Sequence, residues 1–131
     1  MSGTTKSDAT KSDTVKIDTK KIDTKKIDTM QSLHVVAWEY DVDVGAEGAF
    51  EALYGPGGDW VGLFSAYPGY AGTELLRDER PNDYITIDRW ASAAEYAAFR
   101  LSAQVAYAAI DARGDRLMLS ERRIGSFDVV E

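Results

Sequence analysis

Across residues 33–44 apolar and polar positions alternate, with Trp38, Tyr40 and Val42 on one side and Val35, Ala37, Glu39 and Asp41 on the other. A period of two is that of a strand, and the two sides meet different environments. The period then lengthens. Residues 46–54 set Ala49, Phe50, Leu53 and Tyr54 on one helical stripe, which Gly55-Pro56-Gly57-Gly58 stops. Asp59 is placed to cap a short second helix carrying Trp60, Leu63 and Phe64, ended by Pro68-Gly69. Two strands over 70–78 and 83–90, joined by the polar turn Glu79-Arg80-Pro81-Asn82, make an antiparallel hairpin. Ser92-Ala93-Ala94-Glu95 is a capping box, in which the Ser hydroxyl accepts from the Glu95 backbone N–H and the Glu carboxylate reaches back. The helix it opens carries the stripe Tyr96, Phe99, Ala103, Tyr107, Ile110, Gly114, Leu117. Gly114 falls in register, so the helix is expected to run past it, kinked near 100–102, with the glycine allowing close approach to the sheet. Residues 122–130 form the last strand.

The order strand, helix, strand, strand, helix, strand is the split βαβ, ferredoxin-like arrangement of an α+β domain with an antiparallel sheet. Helices cover one face of such a sheet. Here both faces carry apolar side chains, Trp38 and Tyr40 against Val35 and Ala37, and Tyr84 against Ile85 and Ile87. A single copy would leave a large apolar patch wet, so the expected state is a homodimer whose sheets pack face to face into a dimeric α+β barrel.

Composition narrows the chemistry. The 131 residues, 44% of them hydrophobic, suit one domain. There is no Cys, which excludes disulfides, thiolate catalysis and Cys-based metal centres, and the single His leaves no His-rich metal site. No metal and no cofactor are expected. Absence of a long apolar run excludes a membrane helix, and the Lys-bearing N-terminus has no apolar stretch of a secretory signal, so the expected location is cytoplasmic.

All seven Lys lie between Lys6 and Lys26, in a pentad Lys-(Ser/Ile)-Asp-(Thr/Ala)-x, and residues 1–30 carry +2. A period of five matches neither helix nor strand, so residues 1–32 are expected to be a disordered tail and 33–131 the folded domain. The switch in Lys usage also makes Met30 a candidate native start. From Gln31 onward the charge is −9, a surface that repels nucleic-acid phosphates and anionic lipid.

The run Pro68-Gly69-Tyr70-Ala71-Gly72-Thr73-Glu74-Leu75-Leu76-Arg77-Asp78, followed by Tyr84-Ile85-Thr86-Ile87-Asp88-Arg89-Trp90-Ala91-Ser92, resembles the antibiotic biosynthesis monooxygenase domain. The resemblance covers about residues 33 to 110 and implies the dimeric α+β barrel fold. That group includes quinol and polyketide oxygenases and haem-degrading enzymes. Its characteristic Trp at the end of the third strand matches Trp90. Haem-degrading members carry an iron-ligating His ten residues beyond that Trp; here the position is Arg100, which cannot serve. Oxygenases of aromatic polyketides carry an Asn four residues before the Trp and a Tyr six after it, positions held here by Thr86 and Tyr96.

A cofactor-free oxygenase must deprotonate a phenol, quinol or anthrone to an electron-rich anion able to reduce O₂. That requires a base, a donor for the anion and a cleft that excludes water. On the resemblance, Trp90, Tyr96 and Thr86 are the candidate catalytic residues. Trp60, Phe64 and Phe99 are candidates for the cleft wall, Tyr96 or His34 for proton relay, and Arg89 or Arg100 for holding an oxyanion. The expected ligand is a small aromatic or hydrophobic molecule. Each residue also has a structural reading: Trp90 and Phe99 as core, His34 as a surface or strand-edge residue, Asp88 and Arg89 as cross-strand or dimer contacts facing opposite ways. Gly55-Pro56-Gly57-Gly58 lacks the Lys and Ser/Thr of a phosphate loop and reads as a turn. The second functional reading is a non-catalytic dimeric barrel that binds a hydrophobic ligand or serves only in assembly.

Overall fold

The computed structural model describes residues 33–130, so the pentad tail and Met30 lie outside the described residues. Eight elements follow in order: β1 His34–Val42, α1 Glu47–Tyr54, α2 Asp59–Ser65, β2 Tyr70–Arg77, β3 Asp83–Trp90, α3 Ala93–Ser102, α4 Gln104–Asp115 and β4 Met118–Asp128. The strands form one antiparallel sheet in the order β2-β3-β1-β4. This is the expected α+β ferredoxin-like fold, with β2 and β4 at the edges.

Strand parity decides what the helices cover. The register pairs Val36 with Asp88, Trp38 with Thr86 and Tyr40 with Tyr84, so the even-numbered residues of β1 and β3 share the inner face. Phe50, Leu53 and Tyr54 of α1, Trp60 and Phe64 of α2, Phe99 of α3 and Ile110 of α4 pack on it. Phe50 stacks on Tyr54 at 4.3 Å and meets Tyr84 at 4.8 Å between ring centroids. Burying a ring of this size contributes roughly 2–3 kcal/mol, and ring pairs in such geometries add roughly 0.5–1.5 kcal/mol.

Several local expectations are corrected. Ala49 is exposed, so the α1 stripe is Phe50, Leu53 and Tyr54 alone. Asp59 is the first helical residue of α2 rather than its cap, which is Gly58, and its carboxylate pairs with Arg113 at 2.6 Å. Only glycine fits at 58, because a Cβ there would lie 2.2 Å from the Leu53 carbonyl oxygen. Ser92 does cap α3, accepting from the Glu95 N–H at 3.1 Å. The long helix divides at Ala103, whose φ of −103° and ψ of 18° bend the chain just beyond the expected kink. Gly114 does permit close approach, but to α1 and not to the sheet: a Cβ there would lie 2.1 Å from the Tyr54 hydroxyl. β4 begins at Met118, four residues before the expected 122. Register shifts against β1 lie between Ala37 and Trp38 and between Asp41 and Val42, and they interrupt the alternation by which a strand is recognised.

On the outer face, Val35 pairs with Phe127 and Ala37 with both Ile87 and Gly125, with Ile85 and Leu76 alongside. Phe127 is half exposed, as is Leu76. Arg89–Glu74 at 2.9 Å and Arg122–Glu39 are ion pairs on this same face. Among the described residues, no helix is long and apolar enough to cross a membrane.

Candidate functional site

The inner sheet face is not sealed by its helices. Between them lies a cavity of ≈30 Å³, walled by Trp38 and Tyr40 from β1, Tyr54 from α1, Trp60 and Phe64 from α2, and Tyr107 from α4. The sheet side of the wall is polar: Thr86 and Asp88 from β3 and Thr73 from β2. Asp111 and Glu121 complete the lining.

Two hydrogen-bonded sets order the polar side. Tyr40 and Thr86 join hydroxyl to hydroxyl at 2.9 Å. Separately, the Tyr70 hydroxyl donates to Thr73 Oγ1 at 2.7 Å, and Thr73 donates to Asp88 Oδ1 at 2.7 Å. The second set spans the β2–β3 register, in which Thr73 faces Asp88 directly. Asp88 is only 9% exposed. Burial pushes its carboxyl up to about 6, against the opposing pull of the Thr73 hydrogen bond. Burial likewise holds the Tyr40 hydroxyl well above its ordinary range, opposed by Thr86, and raises Tyr54 and Tyr107. All three are therefore neutral donors near neutral pH. Burial first, and then Asp111 and Asp115, raise Glu121; Asp111 is raised by burial and then by Asp115. The carboxylates of Asp111, Asp115 and Glu121 come within 4.8 Å of one another, two of the three exposed, which by itself makes no metal site.

The residues proposed from sequence divide among four places. Thr86, Trp60 and Phe64 line the cavity. Trp90, Phe99 and Tyr96 lie behind that wall: Trp90 is 0% exposed, packs on Phe64, Tyr70, Tyr96 and Phe99, and its Nε1 has no acceptor among the described residues. Arg100 donates to the Tyr96 hydroxyl at 3.3 Å and lies 4.0 Å over the ring of Tyr107, on the helical flank. The other two residues are corrected. Arg89 has the parity of the outer face and pairs with Glu74, so it cannot hold an anion in this cavity. His34 is not a surface residue: it is 2% exposed, hydrogen-bonded through Nδ1 to Asp128 at 2.8 Å, and its ring centre is 6.0 Å from that of Tyr96.

Sequence reasoning missed Tyr40, Thr73 and above all Asp88 as site residues. A signal existed. Asp88 stands between Thr86 and Trp90 at steps of two, so its strand parity puts a carboxylate on the covered face, where an acid needs a reason to be.

The sequence matches the antibiotic biosynthesis monooxygenase family over residues 33–109. Among curated proteins no sequence match is found. Solved structures share the fold. SnoaB, a cofactor-independent oxygenase from Streptomyces nogalater, is 20% identical with a TM-score of 0.64, over 76% of this chain and 95% of that one. NE2512 from Nitrosomonas europaea, of unknown function, is 19% identical with a TM-score of 0.60, over 78% and 93%. Rv0793 from Mycobacterium tuberculosis is 17% identical with a TM-score of 0.56, over 76% and 95%. At these identities the likeness is one of fold. The family match spans more than half of the chain, and the chain belongs to the antibiotic biosynthesis monooxygenase family.

Proposed function

We propose that the protein is a cofactor-independent monooxygenase that oxidises a small aromatic, quinol or polyketide-like substrate with O₂, working as a cytoplasmic homodimer. One observation carries the reading: on this family's scaffold, an aromatic-walled cavity ends on a hydrogen-bonded polar strip of Tyr40, Thr86, Thr73 and Asp88. The likeness in fold to SnoaB, itself a cofactor-independent oxygenase, supports it.

The reaction needs no metal. In an anthrone-type substrate, loss of a C–H proton leaves a carbanion whose electron pair reduces O₂. The CH₂ becomes C=O, one oxygen atom enters the substrate, and the other leaves as water with the two hydrogens. The aromatic wall excludes water from the anion, and neutral hydroxyls held by neighbours donate to it without reorganising. Thr86, bonded to Tyr40, occupies the family's Asn position as such a donor. Trp90 and Tyr96 act from behind, holding Phe64 and Arg100 in place.

A cavity of ≈30 Å³ holds a water or two, against about 300–1,000 Å³ for sites that enclose a drug-sized ligand. An aromatic substrate therefore enters by turning the helix-borne rings Trp60 and Tyr107 outward, while the sheet-borne groups stay fixed. The small cavity is also the observation that favours the second reading, a non-catalytic barrel that binds a hydrophobic ligand or serves in assembly.

Oxygen uptake with a panel of naphthoquinols and anthrones tests the proposal. The wild type is expected to exceed the uncatalysed rate, and Trp90→Phe and Tyr96→Phe to lower it. A wild type at background across the panel, with substrate-dependent quenching of Trp fluorescence retained, establishes the binding protein instead.

A further inference from the structure

The oxygenase reading requires a base, and sequence offered only Tyr96 and His34. Neither lines the cavity, and the Tyr96 hydroxyl is raised by burial, which suits it to donate rather than accept a proton. Asp111 and Glu121 line it, but Asp111 is partly exposed and Glu121 exposed, and both belong to the acidic group that α4 and β4 share. Asp88 alone combines a place in the wall, burial and a fixed hydrogen-bond partner.

We propose that Asp88 is the general base of this site, with Thr73 and Tyr70 as the route by which its proton leaves. The assignment rests on the oxygenase reading. One carboxylate oxygen accepts from Thr73 at 2.7 Å, which fixes the side chain on the inner face and leaves the other oxygen for substrate. The substrate O–H or activated C–H bond breaks, its electron pair stays on the substrate anion, and the proton forms an O–H bond on Asp88. Protonated Asp88 then donates to Thr73 and Thr73 to Tyr70, a reversal of the present direction that takes a half-turn of the Asp88 carboxyl, bringing its protonated oxygen to Thr73, and rotation of the two hydroxyls. Tyr70 opens the edge strand β2 and is partly exposed, so the route ends at solvent.

The groups around Asp88 leave it the only buried carboxylate in the wall. Tyr40 faces it from β1, Tyr70 from β2 and Tyr96 from α3, all raised by burial and neutral. Across the cavity stand Tyr54 of α1 and Tyr107 and Asp111 of α4, with Glu121 of β4; α2 contributes only Trp60 and Phe64. Burial holds the Asp88 carboxyl at about 6, so the carboxylate is present at neutral pH and strongly basic for its type.

The test is the pH profile of anthrone or naphthoquinol oxidation, corrected for the uncatalysed rate. Wild-type kcat/KM is expected to rise with pH through about 6. Asp88→Asn is expected to lose about 100-fold or more at pH 7 and to recover towards wild type above the substrate's own ionisation, where no base is needed. Thr73→Val removes the bond that holds the carboxyl down, and is expected to move the acidic limb to higher pH. An Asp88→Asn enzyme within about threefold of wild type at pH 7, or one equally impaired at every pH, overturns the assignment and leaves the oxygenase reading standing. If Asp88→Asn does not fold, an acidic limb unmoved in Thr73→Val overturns it. A wild type without turnover overturns the oxygenase reading and this assignment with it.

Discussion

Asp88 is a carboxylic acid on a surface built for rings, and its ionisation works against the fold. The folded chain holds its proton at about 6, whereas an unfolded Asp titrates near 3.9. The folded state therefore binds this proton more tightly, so the contribution of Asp88 to stability is greatest below about pH 4, falls as pH rises to about 6, and is flat beyond. Asparagine has the same shape, accepts from Thr73 and carries no charge. Asp88→Asn is thus expected to melt above the wild type at pH 7, by on the order of 3 kcal/mol, with the difference closing towards pH 4. Calorimetry at the two pH values checks this, and an equal difference at both would assign the effect to something other than ionisation. A variant that is more stable yet slower is the pattern of a residue kept for chemistry.

At the scale of elements, close contacts set which residues are replaceable. Gly114 lies in the last turn of α4 against the buried Tyr54 ring, with no room for a methyl. Gly114→Ala improves local helix propensity by about 1 kcal/mol, but the overlap costs roughly 1–3 kcal/mol, so the expected net effect is a lower melting temperature. Co-substitution Tyr54→Phe removes the hydroxyl that the methyl meets and is expected to restore part of the loss, which a double-mutant cycle measures. Ser92→Ala removes the α3 cap and is expected to cost about 1 kcal/mol by urea titration. Most of these elements were legible because their signals are local: the parity of β1 and β3, the Ser92–Glu95 box, the stripe through Phe99 and Ile110. The start of β4 was not, because its alternation is broken by bulges that depend on β1. The cavity was not either. Its wall draws on seven elements, and no stretch of sequence records that Tyr107 stands opposite Thr86. Trp90 read as a site residue by resemblance, yet packing places it wholly in the core.

At the scale of the molecule, the sheet has one face packed under helices and one face that no helix covers. Val35, Ala37, Ile85, Ile87, Leu76 and Phe127 share the outer face, and the ion pairs Arg89–Glu74 and Arg122–Glu39 lie among them. A second copy packed by a twofold axis would bury the apolar residues of both chains, and the same axis places every substitution in the interface twice. Ile87 lies on β3, an inner strand, between Ala37 of β1 and Glu74 of β2. A glutamate there would face water in a single copy at little cost, but would bury two unpaired charges in the dimer, each costing several kcal/mol. Wild type is expected to sediment at twice the 14.4 kDa of one chain and Ile87→Glu at 14.4 kDa, with the far-UV spectrum unchanged. Wild type sedimenting as a single copy at micromolar concentration would defeat the face-to-face barrel. The cavity between sheet and helices would survive that result, because every group lining it belongs to one chain.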